Sequence, residues 1–456
     1  MSNSCTRTPV EPLTSDTQPE SAPNHSDDSD NQQGLSTSHV EKAKGLRAPG
    51  SEAPDGGIVA WLVVLGVWCT IFCSSGWLNI ESTLGIGVFQ EYYQNDLLSD
   101  YNPSTVAWIP SLQIFFMFGM GPIVGSLYDR FGHRWLILGG SLLHVFGIMM
   151  TSLSTEYYQI LLAQGVCSAL GVSAIFQPSL ACIHGWFDKK RGTAFGIVTT
   201  GSSVGGVIFP IMVTRLISKV GFAWSMRIGA FVVLFLLIIA NLTIRAYTTP
   251  HPQNRSLAQL RRPFMEVEFV FVAVGFLFLT YGIFVPLDYL SAQALDAGMD
   301  PNLSQYLIPV LNAASLFGRL SAGSLADRFG KYNMFIASCC LSGIWVLGLW
   351  IPIDNDQSLI AFAILFGFCS GAYVSLISPL IAQISPMSEI GLRTGLAFFL
   401  ASIGGLTTSP ISGAILDGAS GWTGVKTFSG VLCMAGTGFV FAARIHRTGW
   451  KLGAAV

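Results

Sequence analysis

The sequence predicts an all-α integral membrane protein with twelve transmembrane helices in two pseudo-symmetric halves of six. Three observations support this: the composition, the recurring apolar runs and an internal repeat. Of the 456 residues, 51% are hydrophobic and only 11% are charged, whereas charged residues make up about a quarter of a typical soluble domain. Apolar runs of about 20 residues, the length of a membrane-spanning helix, recur from Ile58 to Ala443. They are continuous and do not alternate with polar residues, so they exclude a membrane β-barrel.

Polar breakers between the apolar runs divide the chain into twelve spans. The predicted spans are 57–80, 104–127, 134–153, 157–184, 192–217, 223–245, 267–290, 303–325, 333–352, 358–385, 394–416 and 424–443. They predict a disordered tail at 1–53, a half at 54–245, a linker at 246–266, a second half at 267–445 and a short tail at 446–456. The first tail is rich in Ser, Thr, Pro and Asp and lacks the apolar core of a signal peptide.

The distribution of cationic residues predicts the orientation of the chain. All but five of the 24 Lys and Arg residues fall in the tails and in the loops of one side; the exceptions are Arg215, Lys219, Arg227, Arg319 and Lys426. The positive-inside rule therefore predicts cytoplasmic termini. We expect the protein to lie in the plasma membrane, and an internal membrane such as that of the vacuole is the alternative location. The sequence contains no block of basic residues that would predict nucleic-acid binding. The nine cysteines are scattered, so they predict neither a metal site nor a cofactor.

An internal repeat predicts that the two halves share one fold. Residues 125–134 read GSLYDRFGHR and residues 323–332 read GSLADRFGKY, with identity at seven of ten positions. Parallel six-helix repeats place a substrate site near the membrane midplane, between the halves. The sequence contains no phosphate-binding G-x-x-x-x-G-K-[ST] loop and no recognisable catalytic set. It therefore predicts a secondary transporter and neither a nucleotide-driven pump nor an enzyme.

Each repeat contains the motif G-x-L-x-D-R-x-G, at 125–132 and 323–330. The first glycine allows two helices to approach closely, and the aspartate can meet the positive N-terminus of a neighbouring helix and an arginine. The motif resembles the signature loop of the major facilitator superfamily. This resemblance implies a charge cluster that closes the cytoplasmic face in one state and opens in the other. The expected gating residues are Gly125, Asp129, Arg130, Arg134, Gly323, Asp327 and Arg328.

Two further motifs resemble those of the monocarboxylate porter family, and most closely its fungal branch. The first is Asp55-Gly56-Gly57 followed by Trp61, with one extra residue before the tryptophan. The second is residues 186–191, WFDKKR, which include Lys189, Lys190 and Arg191; Thr193 departs from the usual leucine. The resemblance covers nearly all of residues 53–445 and implies the major facilitator fold. From its residue type alone, Asp55 is expected to cap the first span.

Arg319, in the eighth predicted span, matches the arginine that binds the substrate carboxylate in animal members of this family. A guanidinium suits a carboxylate physically, but the residue could equally be structural and cap backbone carbonyls, and both interpretations stay open. Ser315 stands where those members have an aspartate, and Asn79 stands where they have a lysine. The proton relay of the family therefore cannot be transferred to this chain.

Other polar residues in the spans are candidates for the substrate site. Asp288, beside Tyr289, is either a coupling group or a rim residue in water, and its place near the outer end of the seventh span favours the rim. Gln177 and Asn312 either line the cavity or form interhelical hydrogen bonds. The segment 79–85 is longer than its counterpart in the family.

The sequence leaves more than one function open. The leading prediction is secondary active transport of a small organic solute, with a monocarboxylate as the candidate cargo and protons as a candidate partner. The alternative is an exporter of a fungal secondary metabolite, which the missing lysine and aspartate favour. A non-transporting sensor is less well supported, because the tail at 1–53 lacks the composition of a folded extension.

Overall fold

The computed structural model describes residues 53–79, 92–93, 97–247, 261–352 and 354–450. The predicted tail at 1–53 lies almost entirely outside these residues. So do most of the linker, the end of the second tail and the segment that follows Asn79.

Ten helices in the described residues are long and apolar enough to cross a membrane. One of them, Arg191–Thr243, breaks at Gly221, which has a φ of 78°, so we treat it as α5 (191–220) and α6 (222–243). Leu307–Phe329 (α8) has the length of a span but is less apolar, because it carries Asn312, Ser315 and Arg319. The other helices are α1 Ile58–Leu78, α2 Trp108–Phe131, α3 Arg134–Thr151, α4 Tyr157–Trp186, α7 Val267–Asp296, α9 Lys331–Trp350, α10 Asp356–Gln383, α11 Ile390–Leu416 and α12 Gly421–Thr448.

The prediction of an all-helical membrane fold with twelve spans is therefore confirmed within the described residues. The predicted limits agree with the observed helix ends to within six residues, and the largest difference is at the end of α7. The fifth and sixth spans are joined through Gly221 alone, and α12 runs to Thr448, past the predicted start of the second tail.

The repeated motif produces the same local structure in both halves. Its last glycines, Gly132 and Gly330, follow the last residues of α2 and α8 with φ values of 79° and 94°. Only glycine adopts this conformation without steric cost, so it ends each helix and turns the chain towards the next. We call the end of the bundle that carries these two turns the motif end.

The two halves meet at the motif end through two exchanged crossings, α5 with α8 and α2 with α11. A Cβ atom on Gly323 would lie 2.5 Å from the carbonyl oxygen of Gly192 and 2.8 Å from the Cα of Gly196. A Cβ on Gly391 would lie 2.8 Å from the carbonyl oxygen of Gly125. Both crossings bring backbone against backbone, and larger side chains at these positions would force the helices apart.

Candidate functional site

A cavity lies between the two halves, lined by α1, α2, α4 and α5 of the first and by α7, α8, α10 and α11 of the second. The space free of atoms, including adjoining solvent, is about 1030 Å³. Arg319 is the only charged residue among the described residues that line it. Two groups of side chains stand out in the lining: a polar wall, which consists of Ser75, Asn79, Thr199, Ser202, Asn312, Ser315 and Arg319, and an aromatic wall, which consists of Phe118, Phe176, Phe276, Tyr373 and Phe398. Phe284, Ser370 and aliphatic side chains make up the rest.

Arg319 is the centre of the polar wall and is only 5% exposed. Its Nε donates to Ser315 Oγ at 3.1 Å, and its Nη1 donates to the carbonyl oxygen of Thr199. No carboxylate pairs with it among the described residues. A guanidinium has five N–H donors, so three remain once these bonds are counted. Arg319 thus caps a carbonyl, as the structural interpretation expected, and also presents donors to the cavity, as the binding interpretation required.

Two asparagines complete this wall where the halves meet. Asn79 donates from Nδ2 to the carbonyl oxygens of Ser75 at 3.0 Å and Ser202 at 3.3 Å. Asn312 donates to the carbonyl oxygen of Ile308 at 3.2 Å. A Cβ on Gly206 would lie 2.9 Å from the Nδ2 atoms of both asparagines. The glycine on α5 therefore leaves room for one amide from each half, and hydrogen bonds hold both amides in place.

The aromatic wall is a set of packed rings contributed by both halves. Phe398 lies in the middle, with ring centroids 5.2 Å from Phe118, 5.6 Å from Phe176 and 5.4 Å from Phe276. Tyr373 packs against Phe276 at 5.0 Å, and its hydroxyl lies 2.7 Å from Thr280 Oγ1. These rings give the cavity a large apolar surface and few directional groups. Nothing in the sequence singled them out.

Three of the predicted substrate-site residues do not line the cavity. Gln177 is buried in α4 and donates to the carbonyl oxygen of Met117 at 3.4 Å. Tyr289 is buried and donates to the carbonyl oxygen of Ser409 at 2.9 Å. Asp288 is only 4% exposed, so its interpretation as a rim residue in water is wrong. Helix packing covers this position, although it lies near the end of the span.

The aspartate of the second motif holds the N-terminus of α5. Asp327 accepts hydrogen bonds from Gly192 N at 2.7 Å, from Thr193 N at 2.8 Å and from Thr193 Oγ1 at 2.8 Å. The carboxylate thus satisfies backbone donors at the positive end of a helix in the opposite half. Thr193, which stands where the resembling family has a leucine, supplies two of these bonds, and the one from its hydroxyl is one that a leucine could not make.

The aspartate of the first motif makes the equivalent contact with α11. Leu392 N donates to Asp129 Oδ2 at 3.0 Å. The helix-dipole contact predicted for both aspartates is therefore present. The arginine contact expected beside it is not found among the described contacts of Asp327. The side chains of Arg130, Arg134 and Arg328 are exposed, and Arg130 lies over the ring of Phe131 at 5.0 Å.

The two family motifs contact each other. Asp55 Oδ1 accepts hydrogen bonds from the backbone N–H groups of Asp188 at 2.7 Å and Lys190 at 3.2 Å, and Trp61 packs on Phe187 with ring centroids 5.3 Å apart. The expectation that Asp55 caps its own helix is wrong, because the N-cap residue of α1 is Gly57 and the Asp55 carboxylate instead fixes the loop before α5.

The second half has a counterpart that the sequence did not reveal. Glu266 precedes α7 as Asp55 precedes α1, and it accepts two hydrogen bonds from Arg393 of α11, at 2.5 and 2.7 Å. Arg393 is buried and also donates to Glu389 at 3.1 Å. In both halves, an acidic residue before the first helix therefore fixes the start of the fifth.

Comparisons with known proteins agree with this architecture. The family model described as Major Facilitator Superfamily matches residues 58–296 and 269–454. The "MFS transporter asaE" of Aspergillus flavus is 58% identical over 90% of this chain and 92% of its own length. The "Fujikurins efflux protein" of Gibberella fujikuroi is 52% identical over 88% and 85%. The "Aspyridones efflux protein apdF" of Emericella nidulans is 38% identical over 88% and 80%.

Among solved structures, the fucose:proton symporter FucP of E. coli has the same fold. It matches with a TM-score of 0.65 at 15% identity, over 83% of this chain and 98% of its own. The family model and the relatives cover nearly the whole described chain, and the repeat, the exchanged crossings and the central cavity are consistent with them. This chain belongs to the Major Facilitator Superfamily and is a multi-pass membrane transporter of a small molecule.

Proposed function

We propose that this transporter exports an amphipathic organic molecule of the secondary-metabolite class. The observation that supports this best is the division of the cavity into two walls, one with a single guanidinium and the other with packed rings. The cargo presents an anionic or strongly hydrogen-bond-accepting head to Arg319 and an apolar body to the aromatic wall. Export is favoured because relatives at 52% and 38% identity are named as efflux proteins for fujikurins and aspyridones.

The cavity argues for a cargo larger than a simple monocarboxylate. Besides the polar wall around Arg319, five aromatic rings from both halves line the cavity. A lactate-sized acid would leave most of the aromatic wall without contacts. The proposed cargo therefore has an acidic head, as a monocarboxylate would, but is larger than a simple monocarboxylate.

Alternating access requires that the motif end opens and closes. We propose that the motif end is cytoplasmic, as the positive-inside rule predicts, and that the protein lies in the plasma membrane. The carboxylates of Asp129 and Asp327 hold this end shut through the N-termini of α11 and α5. These bonds must break to admit cargo from the cytoplasm.

A matched pair of probes tests the cargo class. Dansyl-labelled undecanoate and its primary amide share an apolar body and differ only in the charge of the head. Cells that contain the protein should expel the preloaded acid much faster than cells without it, and should expel the amide less efficiently. Failure to expel either probe, by protein that is folded and at the cell surface, would contradict the proposal.

A labelling experiment tests the orientation. In a background without cysteines, Asn102→Cys and Arg262→Cys place single thiols at exposed positions on predicted opposite sides. A membrane-impermeant maleimide should label intact cells at position 102 only. Labelling at position 262 in intact cells would show that the motif end is extracellular.

A further inference from the structure

Asp288 is a buried carboxyl group that the cavity does not use. It lies in α7, eight residues before the end of the helix at Asp296, or about 12 Å along the axis at 1.5 Å per residue. The residue is 4% exposed, and its one described partner is Ser409 of α11, whose Oγ donates at 3.3 Å. A single long hydrogen bond does not replace the hydration of an ionised carboxylate.

No cation compensates this carboxyl group among the described residues. On its own helix the titratable neighbours are Tyr289 and Asp296, and Asp296 accepts from Trp422 Nε1 of α12. Other charged or tyrosine side chains on the elements that contact α7 include Asp300, Tyr306, Tyr373, Asp417, Lys426 and Arg319. Of the two cations, Lys426 is bonded to Asp354 at 2.7 Å, and Arg319 is bonded to Ser315 and to the carbonyl oxygen of Thr199. Burial without a compensating cation favours the neutral form of a carboxyl group over its charged form.

The helix around Asp288 contains a break in its hydrogen bonding. Pro286, two residues earlier, has no N–H group and leaves the carbonyl oxygen of Gly282 without its helical donor. Ser429 of α12 donates to that oxygen at 2.6 Å instead. On α11, Ser409 is followed by Pro410, which interrupts that helix as well. The contact between Asp288 and Ser409 thus joins two helices at the places where each is able to bend.

The side of α7 that lines the cavity lies next to this carboxyl group. Phe284 and Leu287 of the same helix line the cavity. Asp288 lies one helical turn beyond Phe284 and next to Leu287, so it borders the cavity-facing side of α7. Bending at Pro286 would turn Asp288 towards the cavity and its water.

We propose that Asp288 is the proton-binding residue that couples transport to a proton gradient. Its carboxyl group carries a proton in the conformation described here. When α7 bends and the group meets water, the O–H bond breaks, the proton passes to water, and the carboxylate remains in the hydrated state. This inference deepens the proposed export function and rests on the same alternating-access cycle.

Spin labels across the motif end test the proposal without any cargo. Phe131→Cys and Phe329→Cys, at two exposed positions in opposite halves, report opening of that end in a cysteine-free, reconstituted protein. Raising the pH from mildly acidic to mildly alkaline should change the distance distribution, because deprotonation favours the state in which Asp288 is hydrated. Asp288→Asn, which mimics the protonated group, should lose this response and stay in the low-pH distribution.

Two further variants make the result decisive. Asp296→Asn changes an exposed carboxylate on the same helix and should keep the pH response. Asp288→Glu retains a titratable group and should keep the response with a shifted midpoint, which a purely structural role would not restore. An unchanged pH response in Asp288→Asn would overturn the proposal, as would a wild-type distribution that does not depend on pH. Either result would leave the proposed export intact, since expulsion of the dansyl probes is measured separately.

Discussion

The two walls of the cavity are built on different principles. The polar wall comes from α1, α5 and α8, and hydrogen bonds between helices or to the backbone fix its side chains, as Arg319 and Asn79 illustrate. The aromatic wall comes from α2, α4, α7, α10 and α11, and ring packing around Phe398 holds it together. Hydrogen bonds impose direction, whereas packed rings accept many apolar shapes. For the proposed cargo, we therefore expect the polar wall to select the head strictly and the aromatic wall to accept many different bodies.

The largest expected effect follows from removing the charge of the polar wall. Arg319→Ala should weaken binding of dansyl-labelled undecanoate by more than tenfold, since losing one partner of a buried charged pair costs about 2–5 kcal/mol. Binding of the amide should change far less. Fluorescence titration of purified protein measures both affinities. Arg319→Lys should lie in between, because an ammonium keeps the charge but not the forked geometry.

Arg328→Ala is the matched control, as it removes an exposed arginine from the same helix. It should leave both affinities unchanged. Equal losses for acid and amide in Arg319→Ala would mean that the arginine is only structural, and the comparison between the two walls would fail.

Removal of the central ring of the aromatic wall should weaken the binding of both probes by similar factors. Phe398 touches three other rings, and a buried Phe→Ala change costs about 3–5 kcal/mol of stability where the site does not collapse. We therefore expect Phe398→Ala to lower the melting temperature and to reduce affinity for the acid and the amide by similar factors. Phe399→Ala, at the lipid-exposed neighbour, controls for side-chain loss on the same helix. A selective loss of the acid alone would show that the ring recognises the head.

The gate should affect the rate of transport more than the affinity. Asp327→Asn removes the negative charge that holds the N-terminus of α5 through three hydrogen bonds. Expulsion of the acid should slow several-fold, while its dissociation constant stays within about twofold, because the carboxylate lies at the motif end and away from both walls. Asp129→Asn should behave in the same way at the other crossing. A large loss of affinity in either variant would place the gate within the binding site.

The smallest expected effect follows from removing the hydrogen bond between Arg319 and Ser315. Ser315→Ala removes the acceptor of Arg319 Nε, and one hydrogen bond is worth about 1 kcal/mol. Affinity for the acid should fall by a few-fold, and affinity for the amide should not change. Ser321→Ala, which removes a hydroxyl bonded only within its own helix, provides the control in the same titration.

The sequence was sufficient for the fold and for most of the polar wall. Seven shared residues in the repeat identified both motif turns. Arg319 and Asn312 stood out as polar groups in apolar spans, and Asn79 and Ser315 stood out as the positions where the resembling family has a lysine and an aspartate. The aromatic wall could not be found in this way. The chain has 31 phenylalanines, and nothing in their spacing distinguishes a ring in the cavity from one in lipid.

The sequence also did not predict how deeply Asp288 is buried or which helix crosses α2 at the motif end. Asp288 was taken for a rim residue, since its distance from the helix end was visible and the packing of α11 and α12 over it was not. The crossing of Gly391 on Gly125 was missed because the segment around Gly391 differs from that around Gly192 at most positions. The burial of Asp288 and the crossing of α2 with α11 both depend on contacts between helices that are distant in the sequence. A single sequence does not reveal such contacts.

The ion pair of Glu266 with Arg393 has a consequence for engineering. Glu266 is the last residue of the linker and directly precedes α7, and it is bonded to Arg393 of the second half. A side-chain contact thus positions the start of the second half in addition to the covalent connection to the first. Residues 1–255 and 256–456, produced as two separate polypeptides in one cell, should assemble into a working transporter, and a split protein of this kind would allow each half to be labelled alone.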